Sequence, residues 1–133
     1  MNELLNGWSS RILSILRFIT GFLFMWHGMQ KLFNFPPSES AGGAAVPAFI
    51  IYGAGSLELF GGIFIMLGLF TRPVAFVLSG LMAVAYFMGH GFNAFLPITN
   101  QGELAVTYCF IFLYLCFAGG GAWSLDNVLR KKD

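Results

Sequence analysis

The sequence predicts an all-α integral membrane protein, a four-helix bundle with both termini on the cytoplasmic side. Three observations lead there. Hydrophobic residues make up 57% of the 133 and charged residues only 10%, against about a quarter charged in an ordinary soluble domain, and the mean hydropathy is +0.75. Four apolar stretches, near 12–33, 48–70, 74–91 and 102–118, each approach the roughly 20 residues that cross ~30 Å of hydrocarbon. The cations are distributed unevenly about those stretches. A soluble enzyme of this size needs far more polar surface, and disorder needs a less apolar chain. A net charge of +1 gives no reason to expect nucleic acid. Within lipid every backbone polar group must be satisfied internally, and without ten-residue alternation the spans read as helices rather than barrel strands.

The first span, from about Ile12 to Phe33, begins after Arg11. It carries His27, Gln30 and Lys31 where a cleaved signal would need small residues, so it reads as a retained helix. Phe35-Pro36-Pro37-Ser38 ends it, because proline cannot continue the hydrogen-bond ladder. Ser38 to Pro47 is a loop of small residues, and the second span runs from about Ala48 to Phe70. Thr71-Arg72-Pro73 makes a tight turn with proline opening the third span, which fades near Gly91. In the connection from Pro97 to Glu103, Asn100 and Glu103 resemble a capping box, which places the start of the fourth helix near Gln101. Gly119-Gly120-Gly121 stops that helix. Ser124 then caps a short interfacial helix over about 124–132. The whole chain, 1–133, reads as one domain without an internal repeat.

Arg11, Arg17, Arg72, Arg130, Lys131 and Lys132 fall on one side of the membrane and Lys31 on the other. The positive-inside rule puts the termini and the Arg72 turn in the cytoplasm. It puts the loops near Pro36 and Pro97 outside.

Without water to drive association, membrane helices pack through small residues. In the first helix Arg17, Gly21, Phe24, Gly28 and Lys31 recur on one stripe that faces inward. The second helix offers Gly55, Glu58 and Gly62, with Gly61 and Gly68 beside them, and the third Ser79, Gly80 and Ala83. Cys109 and Cys116 are two helical turns apart, too far for a disulfide, and no Cys-x-x-Cys is present; both read as packing residues.

Ionisable groups inside a bilayer cost on the order of 2.5–3.5 kcal/mol each by insertion scales unless paired or wet. Glu58, near the middle of the second span, has two readings. It pairs with Arg17 or His27 and fixes helix register, or it carries a proton or binds a ligand. His27, Gln30 and Lys31 lie near the outer end of the first helix, His90 and Asn93 near that of the third, and Glu103 opens the fourth. Lys31 could pair with Glu103, or snorkel to water. The convergence suggests a pocket open to the outer leaflet, with Arg17, His27, Lys31, Glu58, His90 and Glu103 as ligand contacts. Glu58 and His27 are the candidate catalytic proton carriers. Phe22, Phe24, Trp26 and Phe33 could wall a flat ring. A metal held by His27, His90, Glu58 and Glu103 is conceivable, but the Glu-x-x-His pairs of di-iron bundles are missing and no metal is expected.

These residues resemble the DoxX family of small four-helix membrane proteins. The matching stretches are Arg17 to Phe33, Leu57 to Gly62 with Leu67 to Arg72, and Gly119 to Leu125. Arg17, Gly21, Gly28, Lys31, Glu58, Gly61 and Gly62 all fit the family pattern together. The resemblance implies a multi-pass protein of the bacterial or archaeal cytoplasmic (inner) membrane, linked to redox complexes. It implies a membrane subunit of a quinone-linked oxidoreductase with a polar intramembrane site, rather than a self-sufficient enzyme. The cofactor implied is a quinone, and the partners are the lipid bilayer, a redox subunit or a second copy. The alternatives are a non-catalytic membrane protein that binds or stabilises a partner, or a proton-coupled carrier of small solutes.

Overall fold

The computed structural model describes residues 1–38, 46–91 and 94–132. The loop read at Ser38–Pro47 falls mostly outside them, as does Asn93. Every regular element among the described residues is helical: α1 (Asn2–Phe33), α2 (Ala48–Leu67), α3 (Thr71–Tyr86) continued by a π-helical turn (Phe87–Gly91), α4 (Pro97–Asn100), α5 (Glu103–Ala118) and α6 (Leu125–Arg130). Three helical stretches are long and apolar enough to cross a membrane: Asn2–Phe33, Ala48–Leu67 and Thr71–His90. The fourth, Glu103–Ala118, is apolar but only 16 residues long. The chain divides into two compact units. One comprises Met1–Leu69 with Gly120–Asp133, the other Phe70–Gly119.

In the first unit α1 lies along α2. α1 has 32 residues, about 48 Å at ~1.5 Å per residue, against ~30 Å of hydrocarbon. It starts ten residues before the apolar run does. Hydropathy marks what lipid would cover, whereas the helix continues through Asn2–Arg11 because no proline interrupts it. The segment after α5 also pins this turn: the Ala122 amide donates to the Ser10 carbonyl at 3.2 Å. At the other end α1 stops at Phe33, with Asn34 in the left-handed region at φ 51° and its amide on the Gln30 carbonyl. The prolines at 36 and 37 therefore follow the stop rather than make it.

The α1–α2 seam is a contact of backbones. A methyl group on Gly21 would sit 2.5 Å from the Met66 nitrogen and 2.6 Å from the Gly62 oxygen. One on Gly28 would sit 2.6 Å from the Gly55 oxygen and closer still to the Leu59 nitrogen. From the other side, a methyl on Gly62 would meet Met25 at 2.8 Å. The glycines thus pair seven residues apart on each helix, two turns on one face, which lets antiparallel helices approach at two levels. α2 ends at Gly68, whose φ of 69° suits the αL cap.

In the second unit Phe70 is the N-cap of α3 and Pro73 lies in its first turn. α3 packs on α5, and the buried Ser79 hydroxyl donates to the Cys109 carbonyl at 2.9 Å. Gly80, expected at a helix contact, is exposed, and a methyl group there would meet nothing within 4 Å. It stands ~100° around the helix from Ser79, so the two cannot share a packing face. α5 starts at Glu103, with Gly102 as N-cap. The expected capping box of Asn100 and Glu103 does not form: the Asn100 Oδ1 accepts from the Gly102 amide at 2.8 Å, closing a turn just before the helix instead. Pro97–Asn100 forms a separate turn, α4. Gly119, at φ 83°, ends α5 as expected. In the first unit the Ser124 hydroxyl accepts from the Asn127 amide and caps α6.

Gly28→Ala is expected to lower the unfolding midpoint in detergent, at a cost of about 1–3 kcal/mol from overpacking. Gly53→Ala, where nothing lies within 4 Å, should be neutral or stabilising by up to about 1 kcal/mol through helix propensity.

Candidate intramembrane polar site

The inward stripe of α1 buries Ser14, Arg17, Thr20, Gly21, Phe24 and Gly28. That of α2 buries Gly55, Glu58, Gly61, Gly62 and Ile65. The close approach at Gly28 brings the two stripes together and so positions Glu58, the neighbour of Leu59, against α1. Glu58 is 3% exposed and lies midway along α2.

Its partner is Lys31. The Lys31 Nζ stands 2.5 Å from Glu58 Oε1, a charge-assisted bond between a half-exposed ammonium and a buried carboxylate. The expected pairing of Glu58 with Arg17 gives way to this one. The reason is directional. Cα–Cβ bonds in a helix lean toward its N-terminus, so Lys31, three residues from the end of α1, leans back along Gly28 toward the middle of α2. His27, one turn before Lys31 on the same face, is half-buried, lies within electrostatic reach of both Glu58 and Lys31, and rests against the Phe24 ring at 6.4 Å between centroids. Glu58 Oε2 is buried and has no hydrogen-bond partner among the described residues.

Arg17 occupies a different place in the same unit. It is 2% exposed and donates to four backbone carbonyls: Ile65 and Met66 at 2.5 Å, Trp123 at 2.7 Å and Gly120 at 2.8 Å. The first two belong to the last turn of α2, where the Ile65 carbonyl also accepts from the Gly68 amide at 3.0 Å. The others belong to the segment that follows α5. Arg17 therefore closes the end of α2 and ties the C-terminal segment to it. Sequence reasoning places this residue on the right face, but nothing in the sequence shows carbonyls as its partners. Gln30, half-buried near Lys31, donates through its amide to the Pro36 carbonyl at 3.0 Å and holds the chain beyond α1.

His90 and Glu103 belong to the second unit. His90 rides on the π-helical turn, with Nδ1 2.9 Å from the Asn100 carbonyl. Asn100 also donates to the Tyr86 hydroxyl at 3.1 Å and to the Ala94 carbonyl at 2.8 Å, and the Tyr86 hydroxyl donates to the Phe95 carbonyl. Sequence reasoning misses Tyr86, whose only signal is a hydroxyl at the end of an apolar helix. Glu103 is exposed at the start of α5 and lines an open groove of about 490 Å³ with Pro97, Ile98, Gln101, Leu104 and Thr107. Among the described residues no cluster of three or more His, Cys, Asp or Glu could hold a metal ion.

Apolar helices long enough to span a bilayer, packed through a glycine-paired seam, define a small helical membrane protein. The chain belongs to the DoxX family, whose model matches residues 12–91. An uncharacterised protein of Haemophilus influenzae is 46% identical over 124 residues, covering 90% of this chain and 92% of that one. A Bacillus subtilis protein, CatD, named provisionally as an oxidoreductase, is 32% identical over 70% of this chain and 76% of its own. The inner membrane protein YqjF of Escherichia coli is 29% identical over 89% of this chain and 92% of its own. No solved structure matches.

Lys31→Met is expected to destabilise the protein more than Glu58→Gln does. Removing the lysine strands a carboxylate with no route to water, a cost of about 3–5 kcal/mol, whereas the half-exposed Lys31 left by Glu58→Gln can turn outward. The double variant should recover much of the loss, and a double-mutant cycle of unfolding midpoints measures it. Arg17→Met is expected to cost at least about 3 kcal/mol, from two or more lost charged hydrogen bonds. It should also release the C-terminal segment to limited proteolysis.

Proposed function

We propose that this DoxX protein is a membrane subunit of a quinone-linked redox complex, lying in the inner membrane with both termini cytoplasmic, and that Glu58, Lys31 and His27 form its contact with the quinone. The observation that carries this reading is Glu58: a carboxylate midway along a spanning helix, with one oxygen on Lys31 and the other lacking a partner among the described residues. Intramembrane carboxylates of this kind mark proton or ligand pathways. An apolar ring flanks the site: Phe24 lies against His27 at 6.4 Å between centroids.

Reduction of a quinone to a quinol takes two electrons and two protons, and oxidation returns them. The protein's own residues handle the protons. Glu58 Oε2 accepts or releases one, His27 beside it can exchange another, and the Lys31 ammonium holds the carboxylate in place through Oε1. The electrons pass through a partner subunit. The provisional oxidoreductase name of the Bacillus relative accords with this role, and the inner-membrane location accords with the name of the Escherichia coli relative. The asymmetry of cations between the two sides of the spans supports the orientation.

A second reading has its own observation. Arg17 donates to four backbone carbonyls, which suits a protein whose buried charges fasten it together for a stabilising or partner-binding role. Thermal unfolding of the purified protein with and without decylubiquinone separates the two. A bound quinone at 100 times its Kd adds about 2.7 kcal/mol of stability, and the Lys31→Met/Glu58→Gln double variant should lose that gain. Absence of any shift with quinone or quinol, and no isoprenoid quinone in the extracted protein by mass spectrometry, would overturn the redox reading and leave the stabilising one.

A further inference from the structure

From the state of the Glu58 carboxylate we infer that the site binds a ligand that carries an O–H donor, so that, on the quinone-linked reading, it selects the quinol over the quinone.

The decisive point is which partner is missing. Glu58 Oε1 receives the Lys31 ammonium at 2.5 Å. An ammonium pairs with an ionised carboxylate, which is an acceptor at both oxygens, with about four lone-pair sites. Lys31 occupies one oxygen. The other, Oε2, is buried in a residue 3% exposed and receives nothing among the described residues. A buried acceptor without a donor loses its hydration and gains nothing in return. A ligand that fills this position is held best when it donates a hydrogen bond. A quinone has only carbonyl acceptors, which would set oxygen lone pairs against the carboxylate. A quinol has a phenolic O–H aimed outward from each end of its ring and donates one to Oε2, forming a single hydrogen bond and breaking no covalent bond.

The seam limits how the ligand can arrive. The backbones of α1 and α2 touch at Gly21, toward Arg17, and again at Gly28, against Gly55 and Leu59 on either side of Glu58, with no room for a methyl group at either level. Against Glu58 stands Lys31, 42% exposed on its side chain, with a flexible stem whose movement changes no backbone contact. Along this seam Lys31 is the group that can give way to an entering ring.

The test compares three short-chain probes on the intact protein in nanodiscs: decylubiquinol kept reduced, decylubiquinone, and the di-O-methyl ether of the quinol, which has the ring and tail but no donor. One charge-assisted hydrogen bond corresponds to a preference of about tenfold or more. The expected result is that the quinol binds at least about tenfold more tightly than the quinone and the ether. A drop to near-equal affinities in Glu58→Gln is expected as well. If that variant does not fold, the three-probe comparison on the unaltered protein decides. Quinone or ether binding as tightly as the quinol overturns this inference and leaves the quinone-linked reading standing. Binding of none of the three overturns both.

Discussion

Hydrocarbon offers no solvent to a charge, so the ionised groups buried along α1 and α2, Arg17 and Glu58, must be completed by the protein, and the arrangement of the first unit follows from where that completion succeeds. Arg17 is completed by backbone carbonyls at the end of α2 and in the segment that follows α5. Its planar fork matches several acceptors at once, which a lysine ammonium could not do from one position. Glu58 is completed on one side only. The same constraint thus produces a sealed joint at one level of the seam and an unfinished acceptor at another.

The glycines make both possible. Two pairs seven residues apart bring the backbones of α1 and α2 together, and this approach puts a short carboxylate on α2 within reach of a lysine on α1. Side chains larger than hydrogen at Gly28 would push α2 away and lengthen the Lys31–Glu58 bond. Packing and electrostatics are therefore coupled: the cost of the buried carboxylate is offset only while the seam stays closed. The pair also differs in freedom. Lys31 can turn to water and Glu58 cannot, so the lysine is the adjustable half of the site.

The second unit shows a different economy of polar groups. Tyr86, His90 and Asn100 satisfy one another and the backbone around a π-helical turn, at the junction where α3 gives way to α4. π-turns of this kind often accompany functional positions. Here the imidazole is engaged with a main-chain carbonyl, which orients it.

The sequence by itself determined the class of protein, the approximate helical spans, the stop at Gly119, the cap at Ser124, and the inward stripe of Arg17, Gly21, Phe24 and Gly28. Each of these rests on local chemistry: apolar length, cap residues, and a 3.6-residue period that repeats whatever the neighbours are. It also flagged Glu58, because a carboxylate in an apolar run is conspicuous anywhere. Only the tertiary structure decided the partners. Backbone carbonyls leave no trace in sequence, so the acceptors of Arg17 were invisible. The choice of Lys31 for Glu58 depended on helix register and on the backward lean of side chains, neither of which is written in composition or spacing. The extension of α1 to Asn2 and the exposure of Gly80 were decided the same way, by what packs against each turn rather than by the residues within it.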